Sequence, residues 1–355
     1  MKKSATFLLT LLIILILSGF TLMMMPIFRG CTGEDDEGSG FSVAMVTDTG
    51  GVNDQSFNTS SWQGLSGFAK RTGSRASYVE SKQSSDYFSN IDRLADENTN
   101  LIWGIGYSLA DVVQWAAKTN PELNYAIVDY SYGDDTPENV TGGVFRAEES
   151  AFLVGYIAGK TTKTGKIGFV GGIKGIVIDQ FEYGFRAGAD YAAREQGRPI
   201  KVVVQYAESF SDAAKGKAIA LKMLSNGCDI VFHAAGGVGV GVIEAAKEKN
   251  CYAIGVDMDQ AYLAPKNVLT SALKNAGRAV DLVCTELFEG NKIGGKTLSF
   301  GIKENCVGIP ESNPNLDPKV YISAMKIQDE ISEGKIIPPY NEQEYEKFRV
   351  NDINQ

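Results

Sequence analysis

The chain has 355 residues, of which 44% are hydrophobic and 22% are charged, a balance typical of globular proteins. Acidic residues outnumber basic residues by 43 to 34, which gives a net charge of -9 at pH 7. Because contacts to phosphate groups need clustered lysines and arginines, we expect no nucleic-acid partner and no polyanionic ligand.

Residues 1–30 have the plan of a secretory signal peptide or a membrane anchor. A basic start is followed by a long apolar stretch, and Gly30 stands directly before Cys31. Cys31 resembles the modified cysteine of bacterial lipoproteins, although Phe28 and Arg29 depart from the usual residues of that motif. The leader is therefore either cleaved, with lipidation of Cys31, or kept as a membrane-spanning helix. Both outcomes hold the rest of the chain at the extracytoplasmic face of the cell membrane.

Composition divides the remainder into a tether and a body. Residues 31–40 contain the acidic stretch TGEDDEGSG, whose glycines and serines predict a flexible, solvated tether. The roughly three hundred residues beyond it are enough for two domains of ordinary size, at about 150 residues each.

Strand-like and helix-like segments alternate through the body, which predicts an α/β fold with parallel sheets. In the first half, strands are predicted around Val43–Val46, Arg75–Glu80, Leu101–Trp103 and Tyr125–Val128, with helices around Ser60–Lys70, Tyr87–Asp96 and Ala110–Lys118. From Phe145 the pattern repeats, with strands around Ile167–Gly172, Val202–Val204, Ile230–Phe232 and Ala253–Asp257. We therefore predict two similar lobes, formed by 41–145 with about 275–305 and by 146–274 with about 306–340, and a tail over 341–355.

The predicted strands end at polar residues. Asp48 follows the first strand, Asp129 follows the fourth, and Asp257 ends a strand of the second lobe. Each acid alone could be a turn residue. Because ligands of open α/β sheets bind beyond the carboxyl ends of the strands, their joint placement predicts a ligand cleft between the lobes.

The loop after the first strand, TDTGGVNDQSFN, suits a small polar ligand with a flat ring. Asp48 can accept hydrogen bonds from hydroxyl groups, and Asn53 and Asn58 can both donate and accept them. Phe57 offers a ring face for stacking. The alternative is that Asp48 and Asn53 are loop and capping residues and that Phe57 belongs to the core.

The second lobe offers further candidates. Phe210 would face Phe57 across the cleft, with a surface loop aromatic as the alternative. Lys274 is a single cation among carboxylates, so it could hold a ligand hydroxyl group, balance Asp257, or simply be solvated. The glycine-rich loop GGVGVG includes Gly236, where the backbone can approach an uncharged ligand closely.

Several familiar motifs are incomplete. GIGY lacks the third glycine of a dinucleotide site, and no Gly-Lys-Ser/Thr follows GGVGVG as in a phosphate loop.

His233 is expected to be buried and satisfied rather than a general base. Four cysteines without any CxxC pair are buried thiols or, outside the cell, disulfide partners: Cys228, Cys251, Cys284 and Cys306. The sequence therefore predicts no metal site, no cofactor and no catalytic residue.

Several segments together resemble one known family. The segments VTDTGGVNDQSFN, FRAEESAFLVGYIAGK with IGFVGG, FSDAAKGKAIA, VFHAAGGVGVGVIEAAK, YAIGVDMDQAYLAP and TSALK occur in family order between Phe41 and about Ile309. They resemble the basic membrane protein family, the purine nucleoside receptor A-like substrate-binding lipoproteins of ABC transporters. The resemblance implies a type I periplasmic-binding-protein fold that closes on a nucleoside between two lobes and hands it to a membrane permease.

The resemblance also implies roles for the candidate residues. These roles are ring stacking for Phe57, a base or sugar contact for Asn58, strand-end acid contacts for Asp48 and Asp129, and a ribose-holding pair for Asp257 and Lys274. Phe210 enters as the opposing ring surface by analogy with sugar-binding proteins of this fold. A nucleotide would bring phosphate charge towards three carboxylates, so discrimination against nucleotides is expected.

Two other functions stay open at this point. The same fold could bind a different small ligand, such as a sugar, a riboflavin-like molecule or a signalling molecule. The clustered aspartates could also serve a nucleoside hydrolase. That chemistry would need a metal held by several acids or a pair of acid and base.

Overall fold

The computed structural model describes residues 40–351. The predicted leader, Cys31 and nearly all of the predicted tether lie outside these residues, as do residues 352–355. In the part of the chain that is described, no helix is both long enough and apolar enough to cross a membrane.

Within residues 40–351, the strands form two sheets of six. In chain order they are β1 (Ser42–Thr47), β2 (Arg75–Val79), β3 (Leu101–Ile105), β4 (Asn124–Val128), β5 (Val140–Phe145), β6 (Lys166–Gly171), β7 (Lys201–Tyr206), β8 (Ile230–Ala234), β9 (Tyr252–Asp257), β10 (Val268–Lys274), β11 (Lys296–Phe300) and β12 (Val307–Gly308). The first sheet has the order β11-β5-β4-β3-β1-β2 and is parallel throughout. The second has the order β12-β10-β9-β8-β6-β7, and its only antiparallel pair among the described strands is β10 with β12. The two orders match position by position, so the lobes are topological copies except at the edge, where β12 runs opposite to the direction of β11.

Helices cover both faces of each sheet. In chain order those of the described residues are α1 (Phe57–Thr72), α2 (Asp86–Asp96), α3 (Ala110–Thr119), α4 (Ala147–Thr161), α5 (Ile176–Gln196), α6 (Ala213–Ser225), α7 (Val238–Lys249), α8 (Ala276–Phe288), α9 (Pro318–Ser332) and α10 (Glu342–Asn351). Helices α1 and α8 pack on one face of the first sheet, and α2 and α3 pack on the other. In the second lobe α4 and α5 oppose α6 and α7 in the same way. The predicted doubly wound α/β lobes are confirmed.

Helix α1 shows how the sequence sets these elements. Leu65 and Phe68 follow one another at helical spacing, and both side chains are fully buried against the first sheet. Burial of each such side chain contributes about 1.5–3 kcal/mol to folding. The helix ends at Gly73, whose left-handed backbone (φ 69°) closes the last turn. Helix α1 therefore fixes the loop before it against the sheet edge.

Four of the observed strands, β5, β10, β11 and β12, and one helix were not predicted. Strand β5 has the sequence VTGGVF, in which two glycines mask the alternation of a strand. Strands β11 and β12 lie in the segment that returns to each sheet after α8. Helix α10 lies where only a tail was predicted, and Tyr345 anchors it by donating a hydrogen bond to Asp190 on α5 (2.7 Å). The residue ranges of the two lobes stay a prediction.

The four cysteines of the described chain are free thiols. Cys228, Cys284 and Cys306 are buried, and Cys251 is half-buried. Cys284 accepts a hydrogen bond from the indole nitrogen of Trp103 (3.4 Å), which joins α8 to strand β3.

Helices α1 and α8 cross at two glycines. A Cβ atom on Gly64 would lie 1.9 Å from the carbonyl oxygen of Gly277, and one on Gly277 would lie 2.2 Å from that of Ser60. Gly67, one turn further along α1, faces open space instead. The crossing therefore requires glycine at position 64 and not at position 67.

We predict opposite effects of alanine at these two positions. Gly64→Ala should lower the free energy of unfolding by about 1–3 kcal/mol, because the methyl group forces the helices apart. Gly67→Ala should raise it by roughly 0.5–1 kcal/mol through helix propensity. Urea titration of both variants measures the difference, and a stabilising Gly64→Ala would contradict the close crossing.

Glu148, in the first turn of α4, is a buried carboxyl group with an unpaired oxygen. Its side chain is 8% exposed, and Oε2 has no hydrogen-bond partner among the described residues. Burial raises the pKa of Glu148 from 4.5 to about 8. Because the folded state binds this proton more tightly than the unfolded state, the group favours folding below pH 4.5 and loses that contribution as the pH rises to about 8.

Glu148→Gln should therefore stabilise the protein more at pH 9 than at pH 5, because glutamine cannot ionise. We expect a gain of at least about 1 kcal/mol at pH 9 relative to pH 5. Thermal unfolding at both pH values measures it, with Glu138→Gln as the control on an exposed side chain. Equal shifts in the two variants would show that Glu148 is ionised at no cost.

Candidate functional site

The carboxyl ends of strands from both sheets face one cavity of about 320 Å³. This volume is in the range of small-ligand sites. From the first lobe the cavity is lined by Asp48, Thr49, Gly50, Asp54, Phe57, Asn58, Ser84, Tyr87, Gly106, Tyr107, Ser108 and Asp129. From the second lobe it is lined by Ile173, Val177, Ile178, Phe181, Phe210, Ala234, Ala235, Gly236, Val256, Asp257 and Lys274. The first lobe thus supplies most of the polar groups and the second lobe most of the apolar ones.

Eight of the nine residues predicted to bind a ligand line this cavity. They are Asp48, Phe57, Asn58, Asp129, Phe210, Gly236, Asp257 and Lys274. Asn53 does not line it and is exposed to solvent. The neighbouring Asp54 lines the cavity instead, because the turn before α1 directs it inward.

Asp48 and Asn58 form a hydrogen-bonded pair at the end of β1. Asp48 Oδ1 accepts hydrogen bonds from the Asn58 side chain and from the backbone N–H of Gly50, both at 2.9 Å. Both of these bonds end on Oδ1 and leave Asp48 Oδ2 without a donor among the described residues. Asn58 Oδ1 is buried with no partner among them. Burial raises the pKa of Asp48 to about 6, and the nearby charges of Asp54 and Asp129 add to this rise. The pair therefore offers the second oxygen of Asp48 as an acceptor at the cavity, while Asn58 Oδ1 is a buried acceptor without a partner among the described residues.

Asp54 holds the first turn of α1. Its carboxylate accepts hydrogen bonds from the backbone N–H groups of Ser56 (2.9 Å), Asn58 (2.8 Å) and Thr59 (3.0 Å), and also from the Asn58 side chain (3.1 Å). A carboxylate at this end of a helix satisfies the free N–H groups and favours the positive end of the helix dipole. Burial nevertheless raises the pKa of Asp54. Asp54 thus fixes Phe57 and Asn58 at the cavity.

Asp129 and Asp257 stand at equivalent places in the two lobes. Asp129 directly follows β4, and Asp257 is the last residue of β9. Both have a left-handed backbone, with φ of 67° and 66°, which aspartate tolerates better than most residues. In each lobe this conformation turns a carboxylate from the sheet edge towards the cavity.

Lys274 forms its ion pair with Asp129 and not with Asp257, the carboxylate that the sequence suggested it could balance. Its Nζ lies 2.5 Å from Asp129 Oδ2, and the two side chains are only 2% and 7% exposed. The ammonium group also lies 4.4 Å from the ring centre of Phe57 and 5.0 Å from that of Phe145. Lys274 is the one cation among the described residues that line the cavity.

Asp257 is bonded to the first lobe through Ser56. The Ser56 hydroxyl donates to Asp257 Oδ2 across the cleft. Burial raises the pKa of Asp257 to about 6, while Lys274 and the Ser56 hydrogen bond oppose this rise. The carboxylate keeps a second oxygen for a ligand donor.

His233 is fully buried and does not line the cavity. Its Nε2 lies 2.9 Å from Gln260 Oε1, and its Nδ1 has no partner among the described residues. Burial lowers the pKa of His233 to about 4, so the ring is neutral at pH 7. The predicted burial is confirmed, whereas only one of the two ring nitrogens is satisfied.

Sequence reasoning missed part of the lining. Tyr87 and Tyr107 come from the segments that follow β2 and β3, where the strand-end rule could have found them. Burial, with the charges of Asp48 and Asp129, raises the pKa of Tyr107, so its hydroxyl remains a donor at neutral pH. Val177 and Phe181 lie in the first two turns of α5. The apolar pattern of this helix does not distinguish core positions from positions that line a cavity.

Residues 41–342 match the family Bmp, described as "ABC transporter substrate-binding protein PnrA-like". The chain is 42% identical over 326 residues to Basic membrane protein A of Borreliella afzelii, covering 90% of this chain and 98% of that protein. It is 41% identical over 326 residues to Basic membrane protein A of Borreliella burgdorferi, covering 91% and 95%. It is 40% identical over 327 residues to Basic membrane protein D of the same species, covering 90% and 94%.

Solved structures with low sequence identity share the fold. A solute-binding protein of an ABC transporter system from Aeropyrum pernix superposes with a TM-score of 0.78 at 24% identity, covering 86% of this chain and 96% of that chain. An arabinose-binding protein from Geobacillus stearothermophilus superposes with a TM-score of 0.58 at 14% identity, covering 76% and 96%. These likenesses confirm the type I periplasmic-binding-protein fold and carry no information on the ligand. With the match over residues 41–342 and relatives above 40% identity, the chain belongs to the Bmp family of PnrA-like ABC transporter substrate-binding proteins.

Proposed function

We propose that this protein captures a nucleoside, with purine nucleosides as the preferred class, and delivers it to the permease of an ABC transporter. It acts at the extracytoplasmic face of the cell membrane, held there by a lipid on Cys31 or by its N-terminal segment. It binds and releases its ligand without changing it chemically.

The observation that carries this proposal is the pairing of rings and acids in one cavity. Phe57 and Phe210 line it from opposite lobes, which suits a flat base placed between two ring faces. Such a base buries apolar surface on both sides. The apolar wall of the second lobe, including Val177 and Phe181, continues that surface.

The polar groups of the cavity suit a sugar rich in hydroxyl groups. Asp129 and Asp257 approach from the two lobes, and Lys274 lies beside Asp129. Carboxylates accept hydrogen bonds from neighbouring hydroxyl groups, at about 1.5–3 kcal/mol for each charge-assisted bond. On the base side, Asp48 Oδ2 is an acceptor that suits an N–H donor of a purine.

The charge balance of the cavity disfavours a phosphorylated ligand. Among the residues that the structure describes, four carboxylates line it, from Asp48, Asp54, Asp129 and Asp257, and Lys274 is the single cation. Lys274 is already neutralised by Asp129. A phosphate group would therefore meet unopposed negative charge in a desolvated site.

Titration calorimetry tests the proposal directly. We expect heat with inosine, guanosine or adenosine, and binding at least about tenfold weaker for the matching 5′-monophosphate, which corresponds to roughly 1.4 kcal/mol. Absence of binding with every nucleoside would overturn the proposal. Mass spectrometry of ligand carried through purification would then identify another ligand, and release of free base on incubation would indicate hydrolysis.

A second prediction concerns Asp257. Asp257→Ala should weaken nucleoside binding more than tenfold, because a buried acceptor for the sugar is lost. Asp96→Ala, on an exposed position of α2, is the control for the change in charge.

Asp257→Ala also breaks the hydrogen bond between Ser56 and Asp257. Ser56→Ala removes that bond and keeps the carboxylate. If Ser56→Ala weakens binding as much as Asp257→Ala does, then Asp257 acts through the contact between the lobes and not on the ligand. An unchanged affinity of Asp257→Ala would remove this residue from the site.

A further inference from the structure

The lobes also meet outside the cavity, at Gln55. This residue belongs to the first lobe, in the turn before α1, and it does not line the cavity. Its backbone carbonyl accepts a hydrogen bond from Gln260 Nε2 (2.8 Å), and its side-chain Oε1 accepts one from the hydroxyl group of Tyr262 (2.6 Å). Gln260 and Tyr262 both belong to the second lobe, between β9 and β10. One residue of the first lobe thus receives two donors from the other.

The orientation of the Gln260 amide is fixed by its own lobe. The side chain is fully buried, and its Oε1 accepts a hydrogen bond from the backbone N–H of Val256 (3.0 Å). A backbone N–H can only donate, so this contact identifies Oε1 and leaves Nε2 to face Gln55. Since Oε1 also contacts His233 Nε2, that nitrogen must be the donor. The donor that crosses the cleft is therefore prearranged.

Gln55 is held in an uncommon backbone conformation that presents its carbonyl group to the second lobe. Its φ is 56°, in the left-handed region, where glutamine is seldom found. Its N–H donates to Thr59 Oγ1 (3.1 Å), which fixes the turn from within the first lobe. Residues kept in this region are held there by their surroundings, here by contacts from both lobes.

This contact is linked to a ligand-binding position. Gln260 follows Asp257 by three residues, and Ser56, which donates to Asp257, follows Gln55 directly. Separation of the lobes would break the Ser56 bond and both bonds to Gln55 together. The contact at Gln55 and the bond between Ser56 and Asp257 therefore form in the same arrangement of the lobes.

We propose that Gln55, Gln260 and Tyr262 form a clasp outside the ligand cavity that stabilises the closed arrangement of the lobes and slows ligand release. Gln260 is a positioning residue in this clasp, since it acts on the ligand only through the lobes. The contacts that define the clasp do not depend on which ligand binds. The kinetic test uses a nucleoside and therefore rests on the proposed function.

Gln260→Glu is the sharpest test. Glutamate keeps the acceptor for Val256 but places an oxygen against the Gln55 carbonyl in place of the donor. We expect the dissociation rate of inosine, measured by stopped-flow fluorescence, to rise about tenfold or more, with an association rate changed less than about threefold. Gln63→Glu, the same change on an exposed position of α1, is the matched control and should leave both rates unchanged.

A milder variant covers the case in which Gln260→Glu fails to fold. Tyr262 is 52% exposed, so Tyr262→Phe removes one bond of the clasp without disturbing the core. We expect its dissociation rate to rise about two- to threefold, as for one partly solvated hydrogen bond. Rates equal to those of the unmodified protein in every folded variant would overturn the clasp.

Hydrogen exchange in ligand-free protein separates the clasp from the proposed ligand. If the clasp forms, the amides of residues 52–60 and 256–263 exchange faster in Gln260→Glu, or in Tyr262→Phe, than in Gln63→Glu. Should no nucleoside bind to the unmodified protein, the proposed function fails and this measurement alone decides the clasp. Equal exchange in variants and control would then overturn it.

Discussion

A nearly inaccessible ion pair between Lys274 and Asp129 ties the two lobes together where their strands end. Lys274 is the last residue of β10 in the second sheet, and Asp129 follows β4 in the first. Removing one partner of a buried pair leaves a charge without compensation, which costs about 3–5 kcal/mol. The pair also lies against the ring of Phe57. This ion pair thus joins the two lobes, contacts the Phe57 ring and neutralises one carboxylate of the cavity.

The four carboxylates that line the cavity differ in how well their negative charge is compensated. Asp54 is compensated by the N–H groups that begin α1, and Asp129 by Lys274. Asp48 and Asp257 have weaker compensation, and burial raises the pKa of each to about 6. Carboxylates in this condition gain most from ligand donors, because new hydrogen bonds replace the water that burial removed.

The strand-end acids could be predicted from sequence because the rule behind them is topological. Buried runs such as those before Asp48 and Asp129 identify the strands, and parallel strands bring their carboxyl ends to one edge. The same rule cannot choose between Asn53 and Asp54, since both follow β1. The outcome depends on the N–H groups at the start of α1, which draw Asp54 inward.

Contacts that depend on how the lobes meet could not be predicted. The sequence suggested that Lys274 could balance Asp257, whereas its ion-pair partner is Asp129, in the other lobe and 145 residues away. Strand β5 carries two adjacent glycines, and α10 is polar with a single buried anchor at Tyr345. In these elements the tertiary surroundings, and not the local pattern, decide the structure.

The matching strand orders of the two sheets have a consequence for how a ligand sits. Two copies of one scaffold, each presenting an aspartate in the same backbone conformation, surround the cavity from opposite sides. Equivalent aspartates on two matching scaffolds cannot by themselves determine the orientation of a bound ligand. The orientation of a bound molecule must therefore depend on where the two lobes differ. The first lobe lines the cavity with mainly polar residues and the second with mainly apolar residues.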